Sequence, residues 1–214
     1  MKKKKSIYKS RSMLYYENKY YQYGYKTIAG VDEVGRGCWA GPVVAACVIL
    51  PKDYKNDQLK DSKTLSAKKR QELAKVIRKN ALAIGIDYCT SKRIDETNIK
   101  AAAIEAMYKA IDKMQVKPKC VLVDAEKLKN KNYHTVSIVK GDTLSQTIAA
   151  ASIIAKVYRD QICQYLHQIY PQYGFDKHKG YGTKLHIDAL KKYGPIKNVH
   201  RFSFKPIKLF ISKD

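Results

Sequence analysis

Acidic residues are scarce in this chain of 214 residues. Only 19 Asp and Glu stand against 42 Lys and Arg, a formal net charge of +23. A surplus of that size excludes a charge-balanced surface and points to a polyanion, either nucleic acid or an anionic membrane. Long apolar runs are also missing. No stretch approaches the roughly 20 apolar residues of a transmembrane helix. The basic opening MKKKKSIYKSRS leads into neither an uninterrupted apolar segment nor a small-residue cleavage site, so it is no secretory signal. The expected partner is therefore nucleic acid, with no membrane involved. Residues 1–12 read as a disordered basic arm.

Paired cysteines and metal-type histidine spacings are absent too. Cys38, Cys47, Cys89, Cys120 and Cys163 form no C-x-x-C, and their number is odd. A free Cys in an apolar run behaves as a small hydrophobe, which implies a reducing, cytoplasmic setting and excludes a structural zinc site. The five histidines show no H-x-x-x-H. Any metal is thus expected on oxygen ligands. There is no internal repeat and no linker long enough to divide two domains.

The chain is organised around Thr27 to Val48, TIAGVDEVGRGCWAGPVVAACV. The apolar run Ile28–Val31 meets adjacent carboxylates, Asp32 and Glu33, then a tight Gly35-Arg36-Gly37 and a second apolar run, Pro42–Leu50. Such runs read as strands of a mostly buried sheet. Carboxylates at the end of a buried strand are costly unless neutralised, and a divalent metal does this. The glycines let backbone N–H groups approach a ligand, and Arg36 suits phosphate. A hard-metal site beside a phosphate-binding turn is one reading. A hairpin with two solvated acids is the other.

Elsewhere, Met13–Tyr25 carries a loose helical stripe of tyrosines, suited to packing or to base stacking. Ser66 is a natural N-cap for a helix to Asn80, and Ala81–Cys89 reads as a strand. Ser91 is expected to cap one long helix with Ile94, Ala101, Ile104, Met107, Tyr108 and Ile111 on its core face, stopped by Pro118. Cys120–Val123 is a short strand ending on Asp124, and Tyr133–Val139 is another. Gly141-Asp142 opens a long helix to about Ile169, with Asp142 as N-cap, metal ligand or both. Ser145, Ser152, Lys156 and Arg159 form a polar stripe along it, either solvated or tracking a phosphate backbone. Lys63, in DSKTLS, is either solvated or a phosphate contact. From Tyr170 the texture becomes glycine-rich, aromatic and basic, with a helix over Lys184–Tyr193, as suits contact with nucleic acid. Alternating strands and helices indicate α/β.

The segments GVDEVGRG, WAGPVVAA, DSKTLS, VLVDA, KGDTLSQTIAAASIIAKVYRD, YPQYGFDKHKGYGTKLH and HRFSF, in this order, resemble the ribonuclease HII (type 2 ribonuclease H) family. The resemblance runs from about Leu14 to Lys208. It implies a ribonuclease H-like fold, a mixed central sheet flanked by helices, over residues 13–169. A small C-terminal helical segment, 170–214, would pack on the same domain and contact substrate. It implies that Asp32, Glu33, Asp124 and Asp142 are the catalytic, metal-binding carboxylates. Gly35, Arg36 and Gly37 match the ribonucleotide-recognising motif, and Tyr181 the tyrosine that packs on the adjacent deoxyribose. Lys63, Ser145, Ser152, Lys156 and Arg159 are further candidate substrate contacts. Cys38 stands where proline is frequent in the family, and Ala125 where VDGN has glycine.

The implied activity is hydrolysis of the RNA strand of RNA/DNA hybrids and cutting 5′ to ribonucleotides embedded in duplex DNA, as in ribonucleotide removal. It needs two Mg²⁺ or Mn²⁺ ions about 4 Å apart and leaves 3′-hydroxyl and 5′-phosphate ends. A monomer is expected. Two rival readings remain at this level. One is a basic nucleic-acid-binding protein without activity, which leaves the carboxylates unexplained. The other is a DNA-only nuclease on the same sheet.

Overall fold

The structure, a computed structural model, describes residues 12–59, 65–129 and 131–211. Its centre is a mixed five-stranded sheet in the order β3-β2-β1-β4-β5, with β1 at Ile28–Val34, β2 at Val43–Ile49, β3 at Ala83–Cys89, β4 at Cys120–Asp124 and β5 at His134–Ile138. β4 runs parallel to both β1 and β5. β2 is buried along its whole length, which explains why its sequence, VVAACVI, shows no alternation of apolar and polar residues.

The chain falls into two compact units. The first comprises Met1–Asp32, Cys47–Ile84 and Met114–Ile153, the second Glu33–Ala46, Gly85–Lys113 and Ile154–Asp214. The chain passes from one to the other within β1, β2, β3 and the helix Gln146–Ile169, and once between Lys113 and Met114.

In the first unit, helix α1 (Tyr15–Gln22) lays Tyr16, Tyr20 and Tyr21, followed by Tyr25, against Ile28, Cys120, Leu122, Ile138 and Ile148. Tyr16, Tyr20 and Tyr21 therefore serve packing, and Tyr25, like them, is only partly buried. Fully burying an aliphatic side chain such as Ile28 or Leu122 contributes about 1.5–3 kcal/mol, so this cluster anchors the inner ends of β1 and β4. Helix α2 (Ala67–Asn80) starts where Ser66 accepts a hydrogen bond from the Lys69 N–H at 3.2 Å.

The single helix expected from Ser91 is two. Thr90, not Ser91, caps α3 (Ser91–Glu96), and Asn98 caps α4 (Ile99–Asp112) by accepting from the Ala101 N–H at 2.9 Å. Asn98 is extended (φ −168°, ψ 165°). Its side chain offers the backbone an alternative to helix continuation, so an apolar stripe in register across the break did not disclose it.

The long helix α5 (Gln146–Ile169) also differs from expectation. Asp142 does not cap it. Asp142 lies in a separate 3₁₀ turn, Gly141–Thr143. Most of the first half of α5 is buried, with Ile148, Ala149, Ala150, Ala151, Ile153, Ile154 and Ala155 at 0 % exposure. Gly30 makes this possible in the first unit. A Cβ there would fall 2.2 Å from the Ile148 nitrogen, so only glycine lets helix backbone lie against β1.

In the second unit, α6 (Phe175–His178), α7 (Lys184–Tyr193) and α8 (Lys205–Lys208) enclose a cluster of Tyr173, Phe175, Leu190, Val199 and Ile207. α7 matches its expected range. None of the helices formed by the described residues is long and apolar enough to cross a membrane. All five cysteines are buried free thiols. Burial pushes the Cys120 thiol up to about 12 and the Cys89 thiol up to about 11, as expected of inert core residues.

Candidate active site

In the first unit, the register of β1 against β4 pairs Val31 with Val123. Asp32 and Asp124 are therefore the next residues at the common C-terminal end of two neighbouring parallel strands. Asp124 also ties in the third acid. Its Oδ1 accepts the Gly141 N–H at 2.7 Å, which holds the 3₁₀ turn bearing Asp142 to the end of β4. A Cβ on Gly141 would lie 2.6 Å from Ile148 Cδ1 and 3.3 Å from Asp124 Oδ1, so a larger residue would push this turn away. Asp32 and Asp142 are 3 % and 2 % exposed. Three acids are thus gathered at one strand edge although two are almost fully buried, an arrangement that costs free energy without a compensating charge.

No group of three or more His, Cys, Asp or Glu side chains among the described residues forms a ready-made metal cage. The donor set is nonetheless all carboxylate oxygen, which suits a hard divalent cation. The backbone beside it is strained. Ala125, directly after Asp124, sits at φ +54° in a tight turn closed by the Glu126 N–H to the Asp124 carbonyl at 2.6 Å. This left-handed region favours glycine.

Glu33, the next residue of β1, belongs to the second unit and accepts from Arg36 Nη1 at 3.3 Å. That pair is partly exposed and contributes little to stability. The loop it opens is held from within by two arginines, both at 0 % exposure. Arg201 donates to the Gly35 carbonyl (2.6 Å), the Arg36 carbonyl (2.8 Å) and twice to the Gly41 carbonyl (2.9 and 3.1 Å). Arg159 donates to the carbonyls of Ala40 (3.0 Å), Pro42 (3.0 Å) and Lys179 (2.9 Å). A guanidinium has five donors in a rigid fork, so each arginine fixes several peptide planes at once. Gly35, at φ +98°, has no room for a side chain, since a Cβ would fall 2.3 Å from Arg159 Nε.

Tyr181 lies beside this loop. A Cβ on Gly37 would lie 3.9 Å from its ring, and the residue is 45 % exposed. Burial of part of the ring, with the Cys38 thiol adding, raises the phenol above its ordinary value. The Tyr181 backbone is anchored by a chain of neutral histidines. The Ile196 N–H donates to His200 Nδ1 (2.8 Å), His200 Nε2 contacts His186 Nε2 (3.0 Å), and His186 Nδ1 contacts the Tyr181 carbonyl (3.0 Å). Only one assignment of protons satisfies all three bonds. His200 and His186 are each singly protonated, with the donating N–H directed toward Tyr181. Desolvation pushes His186 down to about 4 and His200 down to about 3.

Several expected contacts lie elsewhere. Arg159 and Ser145 are not on a solvent-facing stripe, because each is itself at 0 % exposure. Arg159 is the buried clamp described above. Ser145, at 0 % exposure, donates to Glu17 Oε1 at 2.7 Å, the same oxygen that takes the Thr147 N–H and hydroxyl. Ser152 and Lys156 are half-buried, and Lys156 is paired with Asp160 one turn along the helix. Lys63 and most of the basic arm fall outside the described residues. Arg201 and the histidines went unassigned in the sequence, although HRFSF and KHKGYGTKLH contain them. Nothing in a linear pattern reveals that an arginine is wholly buried.

Residues 29–207 match the ribonuclease HII family. The chain belongs to that family. It is 50% identical over 200 residues to the ribonuclease HII of Caldanaerobacter subterraneus subsp. tengcongensis, covering 94% of this chain and 83% of the relative. It is 50% identical over 194 residues to that of Acholeplasma laidlawii, covering 91% and 95%. Among solved structures, the ribonuclease H2 of Pyrococcus horikoshii OT3 aligns with a TM-score of 0.74 at 25% identity, over 86% of this chain and 96% of that one. Bst-RNase HIII in complex with Mn²⁺ shares the fold, with a TM-score of 0.66 at 17% identity over 86% and 68%. As a ribonuclease HII, the chain is a metal-dependent endoribonuclease acting on RNA/DNA hybrids. The reading as a binding protein without activity is thereby set aside, and so is the DNA-only nuclease.

Proposed function

We propose that this ribonuclease HII cuts on the 5′ side of ribonucleotides embedded in duplex DNA, as well as within RNA/DNA hybrids, and so serves ribonucleotide removal. The observation that carries this is the register placing Asp32 and Asp124 at one strand edge, with the Asp142 turn bonded to Asp124. Asp32, Glu33, Asp124 and Asp142 hold two divalent ions, Mg²⁺ or Mn²⁺. When bound, such ions lower the pKa of water and neutralise charge on the phosphoryl and leaving oxygens. The chain's own residues select the substrate. Gly35, Arg36 and Gly37, with their peptide planes fixed by Arg201, present backbone groups to the 2′-hydroxyl that distinguishes RNA from DNA. The Tyr181 ring packs on the neighbouring sugar, where a deoxyribose leaves room and a 2′ oxygen does not. Products carry 3′-hydroxyl and 5′-phosphate ends. The enzyme acts as a monomer in the cytoplasm.

The test is a labelled DNA duplex with one ribonucleotide, incubated with Mg²⁺ or EDTA. Wild type cuts 5′ to the ribonucleotide only with metal, and Asp124→Asn loses cutting while keeping binding. Tyr181→Ala loses more activity on this junction than on uniform hybrid. Equal loss on both substrates would sink the role given to Tyr181, and a 2′,3′-cyclic phosphate product would sink the hydrolytic mechanism.

A further inference from the structure

The carboxylates occupy the C-terminal ends of β1 and β4. At the N-terminal ends of β1, β4 and β5, about 13 Å away along β4 at ~3.3 Å per residue, the first unit carries an open groove of about 760 Å³. Lys26, Lys117, Lys119 and Lys131 converge on it from three segments, all exposed, and no carboxylate occurs among the described residues lining it. Tyr25 and His134 form one wall, stacked at 5.4 Å and 24°, with Tyr20 of α1 tilted against both.

The backbone bearing these groups is fixed. The N–H groups of Lys119 and Cys120 both donate to the Thr27 carbonyl, at 3.0 and 3.1 Å. The Thr27 hydroxyl accepts the Lys119 N–H at 3.0 Å and contacts the Lys117 carbonyl at 3.2 Å, and the His134 N–H donates to the Lys119 carbonyl at 3.0 Å. Four like charges therefore surround one opening whose described lining residues include no carboxylate, which favours a bound polyanion.

We propose that this groove binds a single-stranded nucleic-acid segment. The lysines take consecutive phosphates, and an unpaired base stacks against the Tyr25–His134 wall. A rim of lysines alone would serve duplex equally well. The aromatic wall favours a single strand, because bases in a duplex already stack on one another and offer only their edges. The site lies at the other end of the strands from the carboxylates, so it engages a segment separate from the one being cut, such as an unpaired flank.

The test uses the full chain in EDTA and fluorescence anisotropy with labelled oligo-dT of about 12 nucleotides, within the usual range of single-strand sites. Lys26→Glu/Lys117→Glu/Lys119→Glu is compared with a control of equal charge change on α2, Lys68→Glu/Lys75→Glu/Lys79→Glu. The groove variant is expected to bind at least ~10-fold more weakly than the control. Its slope of log affinity against log salt should be shallower by about 2, at ~0.7 per lost phosphate contact. His134→Ala, which leaves the lysines in place, should weaken binding by about 5-fold or more through lost stacking. Cutting of a blunt duplex containing one ribonucleotide should stay within about twofold of wild type. Equal losses in the two triple variants would overturn the proposal by reducing the effect to net charge. An equal loss on blunt duplex DNA would overturn the assignment to single strands. Loss of cutting would place the groove within the cleavage apparatus and refute its separateness.

Discussion

Replacing Arg201 with lysine keeps the positive charge but removes the fork. Burial lowers the Arg201 guanidinium to about 10, so it remains charged at neutral pH and its four hydrogen bonds to the carbonyls of Gly35, Arg36 and Gly41 are charge-assisted. A lysine ammonium is a point donor and retains one or two of them. With hydrogen bonds to charged groups contributing ~1.5–3 kcal/mol each, the loss of two costs about 3 kcal/mol or more. For a chain of this size, 1 kcal/mol corresponds to roughly 2–4 °C, so the melting temperature should fall by about 6–12 °C. Thermal unfolding in EDTA measures this without any contribution from bound metal. The freed Gly35 and Arg36 peptides should also blur recognition of the 2′-hydroxyl. At a temperature where both proteins are folded, kcat/KM on a single-ribonucleotide duplex should then fall at least ~10-fold. A melting temperature within about 2 °C of wild type would refute the clamp. A normal melting loss with unchanged kcat/KM would refute its link to substrate recognition.

Ala125→Gly should stabilise the protein by about 1 kcal/mol, raising the melting temperature by roughly 2–4 °C, because φ +54° disfavours alanine. A lower melting temperature would contradict the strain. Asn98→Ala should cost about 1 kcal/mol in urea unfolding by removing the α4 cap. No change there would mean that the cap contributes nothing. His186 and His200 stay neutral in the folded protein down to about 4 and 3, whereas an unfolded chain protonates near the ordinary value of about 6.5. Between those limits the unfolded state binds more protons, so stability is full above about 6.5 and declines as pH falls toward 3. His200→Gln should flatten this decline in guanidinium midpoints measured at several pH values, and parallel curves would rule out the histidine origin. Saturating Mg²⁺ should raise the melting temperature of wild type by several degrees through binding to the folded state alone, and should do so less for Asp142→Asn. An equal rise in both would count against Asp142 as a ligand.

Local physical chemistry made much of this protein legible from its sequence. Unbroken apolar runs marked buried strands, Ser66 marked a helix start, and the spacing of Lys184–Tyr193 marked α7, because each depends on neighbours within a few residues. The nuclease activity was implied by the resemblance of the motifs to a family. The surplus of lysine pointed to nucleic acid and the carboxylates after apolar runs to a hard metal, since charge and donor chemistry survive in a linear reading. What surrounds a polar residue does not survive in that way. Arg159 and Ser145 looked like members of a solvated stripe because periodicity shows where a polar residue lies along a helix but not which distant groups enclose its side chain. Asn98 broke a helix whose apolar stripe continued in register, because a side-chain cap competed locally with helix continuation. Arg201, the histidine chain to Tyr181 and the lysine groove at the N-terminal ends of β1, β4 and β5 exist only once distant segments meet. Their partners are backbone groups that every residue possesses, so tertiary packing alone decided which carbonyls those side chains would hold.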